Sequence, residues 1–304
     1  MKEIISRLKD SLGSNKAIIE NIIGAFIVKG GSMLLTLFLL PAYIRFFGNQ
    51  SVLGIWYTIL SVLNWVLMFD LGIGSGLRNK LPNAFESKDE KYARKLISST
   101  YFSTIVLVAV FGIVGSYIIW QLDWNQILNI SCSDLSAIVL KKAIQIAFFG
   151  IMIQFILKLV TSILYAIQKS AYVNLLTLLS NLCIFFALHM MSPSSSEVNI
   201  IKMAYVNVFS VNLPLLITTI ILFRGKLRRY YPSYRYIDRD AIREVLQIGI
   251  AILWLQVVFM VISSTNEFLI SAFCSPADVI EYQVYFKIFN CIAAICSLGL
   301  IPIR

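Results

Sequence analysis

The residues of this chain that could do chemistry are charges and glycines set among apolar neighbours. The stretch FDLGIGSGLRNKL, 69–81, carries Gly72, Gly74 and Gly76, with Asp70 before them and Arg78 and Lys80 after them. Glycines followed by bases are the material of phosphate-cradling loops, but the spacing here is G-x-G-x-G. A dinucleotide fingerprint needs G-x-G-x-x-G between a strand and a helix, and a P-loop needs G-x-x-x-x-G-K-[ST]. Neither pattern is present. The physical reading is a helix end at a membrane boundary, where glycine terminates or loosens the helix and lets neighbours approach. Asp70 and Arg78 then sit at headgroup depth, where charge is easily hydrated, and Asp70 reads as a partner of Arg78 or a helix cap.

Lys29, Lys158, Lys287 and Glu267 lie inside apolar runs. A charge at the centre of a membrane helix costs about 2.5–3.5 kcal/mol on insertion scales, so it faces a wet cavity or a partner. Lys29 falls near the middle of its run and Lys158 in the inner half of another. Neither has an acid in the interior of its own helix; both read as cavity-lining, with snorkelling along the helix as the alternative. Glu267 and Lys287 fall at similar depth in neighbouring runs and read as a structural ion pair, with proton or ion coupling through Glu267 as the sharper reading. The five cysteines have no metal-ligand spacing, and His189 has no partner motif. Cys132 and Cys274 fall in loops on one side, where a disulfide is geometrically open. Neither a metal nor a cofactor is expected.

The elements that must position these residues are membrane helices. The chain has 304 residues, 58% hydrophobic and 14% charged, where a soluble domain is about half apolar and a quarter charged. Apolar runs at 18–45, 51–71, 96–120, 138–165, 172–191, 200–223, 245–271 and 281–303 are each long enough for a hydrocarbon core of about 30 Å. They are continuous, whereas a β-barrel needs alternating segments of about ten residues. The expectation is an all-α polytopic protein of about eight spans, with Pro41 and Pro214 as kink positions. The first sixteen residues are polar and mixed in charge, and the run after them is too long for a cleaved signal.

The formal net charge of +10 could point to nucleic acid, but its placement argues for topology. Most of the 26 Lys and Arg fall in the N-terminus, the 72–95 loop, the 166–171 turn, the 224–244 loop and the C-terminus. The positive-inside rule places both termini in the cytoplasm. The loop RGKLRRYYPSYRYIDRDAIRE, 224–244, reads as a topology anchor on anionic lipid and a linker between two helical bundles.

Laid over one another, FFGNQSVLGIWYTILSVLN (46–64) and AFCSPADVIEYQVYFKIFN (272–290) match Phe47 with Phe273, Trp56 with Tyr282 and Asn64 with Asn290. With one residue of slip, Leu71-Gly72-Ile73 meets Leu298-Gly299-Leu300. Both copies read as helix, short turn, helix. Six spans separate them, which gives a parallel repeat about an axis along the membrane normal. The division is a cytoplasmic segment at 1–16, a six-helix lobe at 17–223, a basic linker at 224–244 and the start of a second lobe at 245–304. About four helices of a two-lobed transporter would then be missing.

FDLGIGSGLRNKL, preceded by FFGNQSVLGIWYTILSVLNW, resembles the early segment of bacterial polysaccharide flippases. These are the Wzx-type O-antigen transporters of the multidrug/oligosaccharidyl-lipid/polysaccharide (MATE-like) superfamily. The residues that carry the resemblance are Phe47-Gly48, Gly54-Ile55-Trp56, Trp65, Phe69-Asp70-Leu71-Gly72 and Leu77-Arg78-Asn79. The motif covers 46–81, and the helical layout runs along the whole chain. The resemblance implies about twelve or more spans, so the chain, with about eight expected, departs from the family in length. The resemblance implies a two-lobed protein of the bacterial inner membrane with a central cavity. It implies movement of an undecaprenyl-pyrophosphate-linked oligosaccharide, an O-antigen or capsule repeat unit, from the cytoplasmic to the periplasmic leaflet, beside the polysaccharide polymerase machinery. Lys29, Arg78, Lys80, Lys158 and Lys287 are then candidate substrate contacts, and Asp70 and Glu267 candidate coupling acids.

Two other readings differ in what they require. A cation-coupled drug antiporter of the same superfamily wants an acid inside the first lobe, and from Asn21 to Phe69 there is none. A polytopic polymerase or acyltransferase needs a catalytic constellation at one face. The acids on the outer side are Asp123, Asp134, Glu197, Asp278 and Glu281, in short loops without a histidine. The expectation is a transporter, not an enzyme.

Overall fold

The computed structural model describes residues 28, 30–68, 72–128, 135–225, 227–263 and 265–300. Lys29, Asp70 and Cys132, with the segment 1–16, lie outside the described residues. Among the described residues the chain is helical throughout, with no strand. Its helices are α1 (Gly30–Phe47), α2 (Gln50–Met68), α3 (Ile73–Glu86), α4 (Glu90–Gln121), α5 (Trp124–Ile127), α6 (Ala137–Ala166), α7 (Ser170–Met190), α8 (Ser196–Arg224), α9 (Arg239–Ser263), α10 (Asn266–Phe273) and α11 (Asp278–Leu300). Six of them, α1, α2, α4, α6, α7 and α8, are long and apolar enough to cross a membrane.

The helix ends follow from local chemistry. The Asp89 carboxylate accepts from the Tyr92 amide at 2.9 Å and Glu90 stands in the first turn of α4, an acidic start that suits the helix dipole. Gly225 ends α8. Pro214 lies inside α8 and cannot donate to the preceding turn. Just before it, Asn212 donates to Gly150 O of α6 at 3.1 Å and to Val208 O at 2.9 Å.

Helix α6 is the centre of the bundle, packed against α2, α3, α4, α7 and α8. Leu140, Ala143, Ala147, Phe155, Leu159 and Ile163 are buried along it. The outer helices show the reverse. On α4 the side chains of Val106, Val110, Ile113 and Tyr117 are exposed, and on α8 those of Tyr205, Phe209, Leu213, Leu216 and Ile220. Spacings of three and four place each set on one stripe. An apolar stripe of that length is a face for lipid or a partner, not for water.

Three sequence expectations change. The segment 72–95, read as a loop, contains α3, and α4 begins at Glu90 rather than 96. Ile73, Leu77, Leu81 and Ala84 of α3 are buried, so it is an amphipathic helix despite Pro82. Gly72 has φ +65, a left-handed turn that glycine adopts freely and that separates α2 from α3. A Cβ on Gly76 would stand 2.1 Å from Val245 O, so α3 and α9 meet backbone to backbone. The single run 245–271 is two helices, α9 and α10, and α9 starts at Arg239, inside the expected linker. Finally, α11 continues through Gly299 to Leu300, whereas Gly72, which matches Gly299, marks a break. The segments 46–64 and 272–290 do both fold as helix, turn, helix, and α2 packs on α10 and α11.

The rest of the linker is two 3-10 turns, Arg228–Tyr230 and Tyr234–Tyr236, strapped to α4. Lys95 bonds the Asp238 carboxylate. Ser99 Oγ accepts from the Asp238 amide at 2.9 Å, and Ser98 Oγ from the Ser233 amide at 3.1 Å. Arg94 donates to Tyr231 O at 3.1 Å and lies 4.1 Å over the Tyr236 ring.

Candidate functional site

The first turn of α3, the middle of α4 and the last turns of α6 enclose a cavity of about 190 Å³. Gly74, Ser75 and Arg78 line it from α3, Thr104 from α4, and Lys158, Thr161, Ser162 and Tyr165 from α6. Arg78 and Lys158, 80 positions apart in the chain, therefore face one space. The Arg78 guanidinium lies 4.2 Å from the centre of the Tyr165 ring. That contact aligns the planar cation without consuming its charge. Among the described residues neither Arg78 nor Lys158 forms an ion pair. Thr161 Oγ1 donates to Lys158 O at 2.7 Å.

The start of α3 adds to this field. Gly72 is its N-cap and offers no side-chain cap; Ile73, Gly74 and Ser75 line the cavity. First-turn amides have no partner within a helix, and a helix start carries about half a positive charge. Thr104 is buried, and among the described residues its hydroxyl has no hydrogen-bond partner. Two cations, a helix start and several hydroxyls make a site for a polyoxygenated anion.

Lys80 is elsewhere. Its ammonium pairs with Glu244 at 3.2 Å, and the Tyr92 hydroxyl donates to the same carboxylate at 2.7 Å. Positions two apart on a helix point to different sides, so Arg78 turns to the cavity and Lys80 to the α9 seam. Nearby, hydrogen bonds from Lys95 and then from the Ala241 amide hold the Asp238 carboxyl below its usual range.

Glu267 lines a second cavity, of about 250 Å³, between α2, α10 and α11, with Tyr57, Leu60, Ser61, Asn64, Gln283 and Phe286; Lys287 is not among its lining residues. The expected ion pair is not formed. Glu267 Oε1 accepts from Gln283 Nε2 at 2.7 Å, and Oε2 from Ser61 Oγ at 3.1 Å. Lys287 donates to the Tyr57 hydroxyl at 2.8 Å and lies 4.6 Å from that ring's centre. Gln283 and Lys287 are one turn apart on α11, so the nearer amide reaches Glu267 and the amine passes to α2.

The hydroxyl partners are not among the residues expected from the sequence, although their spacing is readable there. Lys158, Thr161, Ser162 and Tyr165 recur at helical intervals inside an apolar run, as do Tyr57, Ser61 and Asn64. Such a polar stripe in a membrane helix marks an inward face.

Comparison of the chain with protein-family models, curated proteins and solved structures finds no match. Among the described residues, fold and site together define a helical, multi-pass membrane protein with polar cavities between its helices.

Proposed function

We propose that this protein is a transporter that carries an undecaprenyl-pyrophosphate-linked oligosaccharide, an O-antigen or capsule repeat unit, across the bacterial inner membrane. The observation that carries the reading is the convergence of Arg78 and Lys158 on one hydroxyl-lined cavity at the start of α3. A pyrophosphate moving between leaflets needs cations that stay hydrated and accessible inside a helical bundle, and this cavity supplies two. The protein's work is to lower a translocation barrier, without covalent chemistry.

The wider layout belongs to the same reading. Helix α9 with α10, and α11, are the seventh and eighth spans and open a second, MATE-like lobe. The basic segments, the linker strapped to α4 among them, face the cytoplasm together with both termini. Lys29 and Asp70 keep their sequence-level roles as a cavity cation and a coupling acid. Polysaccharide polymerase machinery is the natural recipient of the product. The antiporter reading wants an acid inside the first lobe, and the buried Glu267 carboxylate stands on α10, in the second.

The test is genetic and quantitative. In cells lacking their own flippase and expressing the full-length gene product, Lys158→Glu and Arg78→Glu should each lower surface polysaccharide at least about tenfold, since each reverses a charge-assisted contact. Lys29→Glu should act in the same direction. Undiminished polymer with both Lys158→Glu and Arg78→Glu overturns the proposal.

A further inference from the structure

The cavity between α2, α10 and α11 shares no lining residue with the cationic one, and its chemistry is different. Its six informative side chains are Tyr57, Ser61, Asn64, Glu267, Gln283 and Phe286. Two are aromatic, and the others are a hydroxyl, two amides and a carboxylate. We propose that this cavity is a neutral-saccharide subsite that seats one sugar ring of the carried oligosaccharide. The assignment rests on the transport reading for its biological meaning, but its chemistry stands on the lining alone.

The size fits one ring. At ~30 Å³ per water, about 250 Å³ holds on the order of eight waters, the space of a pyranose rather than of a chain. The lining matches the two surfaces of such a ring. A pyranose has an apolar C–H face, which an aromatic ring covers, and an equator of hydroxyls, which planar amides and carboxylates meet in pairs. Phe286 is stacked on Tyr282, with centroids 5.4 Å apart and planes at 22°, so this aromatic wall is preset. The equatorial groups are preset too. Glu267 is held by Gln283 and Ser61 from two sides, and each carboxylate oxygen retains acceptor capacity. Asn64, one to two turns along α2 from Ser61 and Tyr57, has an exposed amide.

A buried carboxylate flanked by a hydroxyl and amides is also the material of a small-cation site. Lys287 decides between the two. Its amine is bonded to Tyr57, which belongs to the same lining. That bond occupies the Tyr57 oxygen, so a cation would lose one of the few oxygen ligands here, while a neutral, hydroxyl-rich ligand still meets the other groups. The polar groups also combine donors with acceptors, which reject a ligand lacking hydroxyls because they would then be left unmatched.

The test uses the purified protein in lipid nanodiscs and saturation-transfer NMR with glucose, galactose, rhamnose and N-acetylglucosamine, each as the free sugar. At least one should receive saturation on its ring protons. Asn64→Leu and Phe286→Ala should each weaken that binding about fivefold, one hydrogen bond or one ring contact. Asn64 is exposed, so its variant tests recognition without emptying the core, and melting curves confirm that both variants are folded. Absence of binding by the whole panel overturns the subsite, as does binding that both variants leave intact. A sodium-dependent rise in melting temperature that Glu267→Gln abolishes, with no sugar bound, makes the cavity a cation site and also overturns it. The outcomes separate from those of the transport reading. No sugar binding with polymer still lost in Lys158→Glu removes the subsite alone, and sugar binding with polymer intact in the charge-reversed variants removes the transport reading alone.

Discussion

At the scale of single residues, Glu244 joins three helices. It accepts from Tyr92 on α4 at 2.7 Å and pairs with Lys80 on α3 at 3.2 Å while standing on α9. The pair is about one-third exposed on each side, so solvent screens it and the hydrogen bond contributes most. Glu244→Ala should lower stability by about 1 kcal/mol, read as a fall in melting temperature in detergent, and Lys80→Met by less. Asp238 gives the pH dependence. Its carboxyl is held low by Lys95, so the stability it contributes is complete above the unfolded carboxylate value of about 4. That contribution is lost as pH falls below about 4 towards the folded value. The melting temperature of wild type should therefore drop more steeply than that of Asp238→Asn across that acid window. Equal slopes would remove Asp238 as the source.

At the scale of elements, α3 is where sequence and structure diverge most. Its buried positions Ile73, Leu77, Leu81 and Ala84 recur at helical spacing, and that signal is present in the sequence. Three glycines, Pro82 and the local cluster of bases outweigh it and make the segment read as a loop. The close approach to α9 has no sequence signal, because it depends on which backbone faces Gly76. A Cβ there would overlap Val245 O at 2.1 Å, so Gly76→Ala should cost about 1–3 kcal/mol by overpacking. Gly112 on α4 has nothing within 4 Å of a Cβ, and Gly112→Ala should be neutral or slightly stabilising. The reverse order of melting temperatures would mean that α3 does not seat on α9 as described. The break between α9 and α10 falls in the polar run Ser263–Asn266, too short a cue to divide an otherwise apolar stretch. The cavity of Arg78 and Lys158 was legible as two separate cations, and Tyr165 and Thr104 were not, since partners on other helices are a property of packing.

At the scale of the whole molecule, the hydrophobic runs that became α2, α4, α6, α7 and α8 were legible, because a membrane helix must satisfy its own backbone and therefore declares itself by composition. The bounds of α6, Ala137–Ala166, fall within a residue of the expected 138–165. Which faces meet lipid was not legible, since the outer helices are apolar all round. The stripe on α4 places Ile113, 74% exposed, towards the surroundings. Ile113→Lys should reduce the amount of folded protein recovered from membranes, by a penalty of about 2.5–3.5 kcal/mol at the helix centre. The reverse exchange at exposed Lys91, Lys91→Ile, should not.

The length of α4 divides that helix between two solvents. Its 32 residues rise about 48 Å, well beyond a hydrocarbon core of about 30 Å. The bare apolar stripe begins near Phe102, and Tyr92, Arg94, Lys95, Ser98 and Ser99 below it carry the straps to the linker and α9. One continuous helix is thus a wall in oil at one end and a mast in water at the other. Amide exchange should register the boundary: slow through the lipid-facing turns whatever the salt, and faster towards Glu90 when high salt loosens the ionic straps, with the change of regime within a turn of Tyr101.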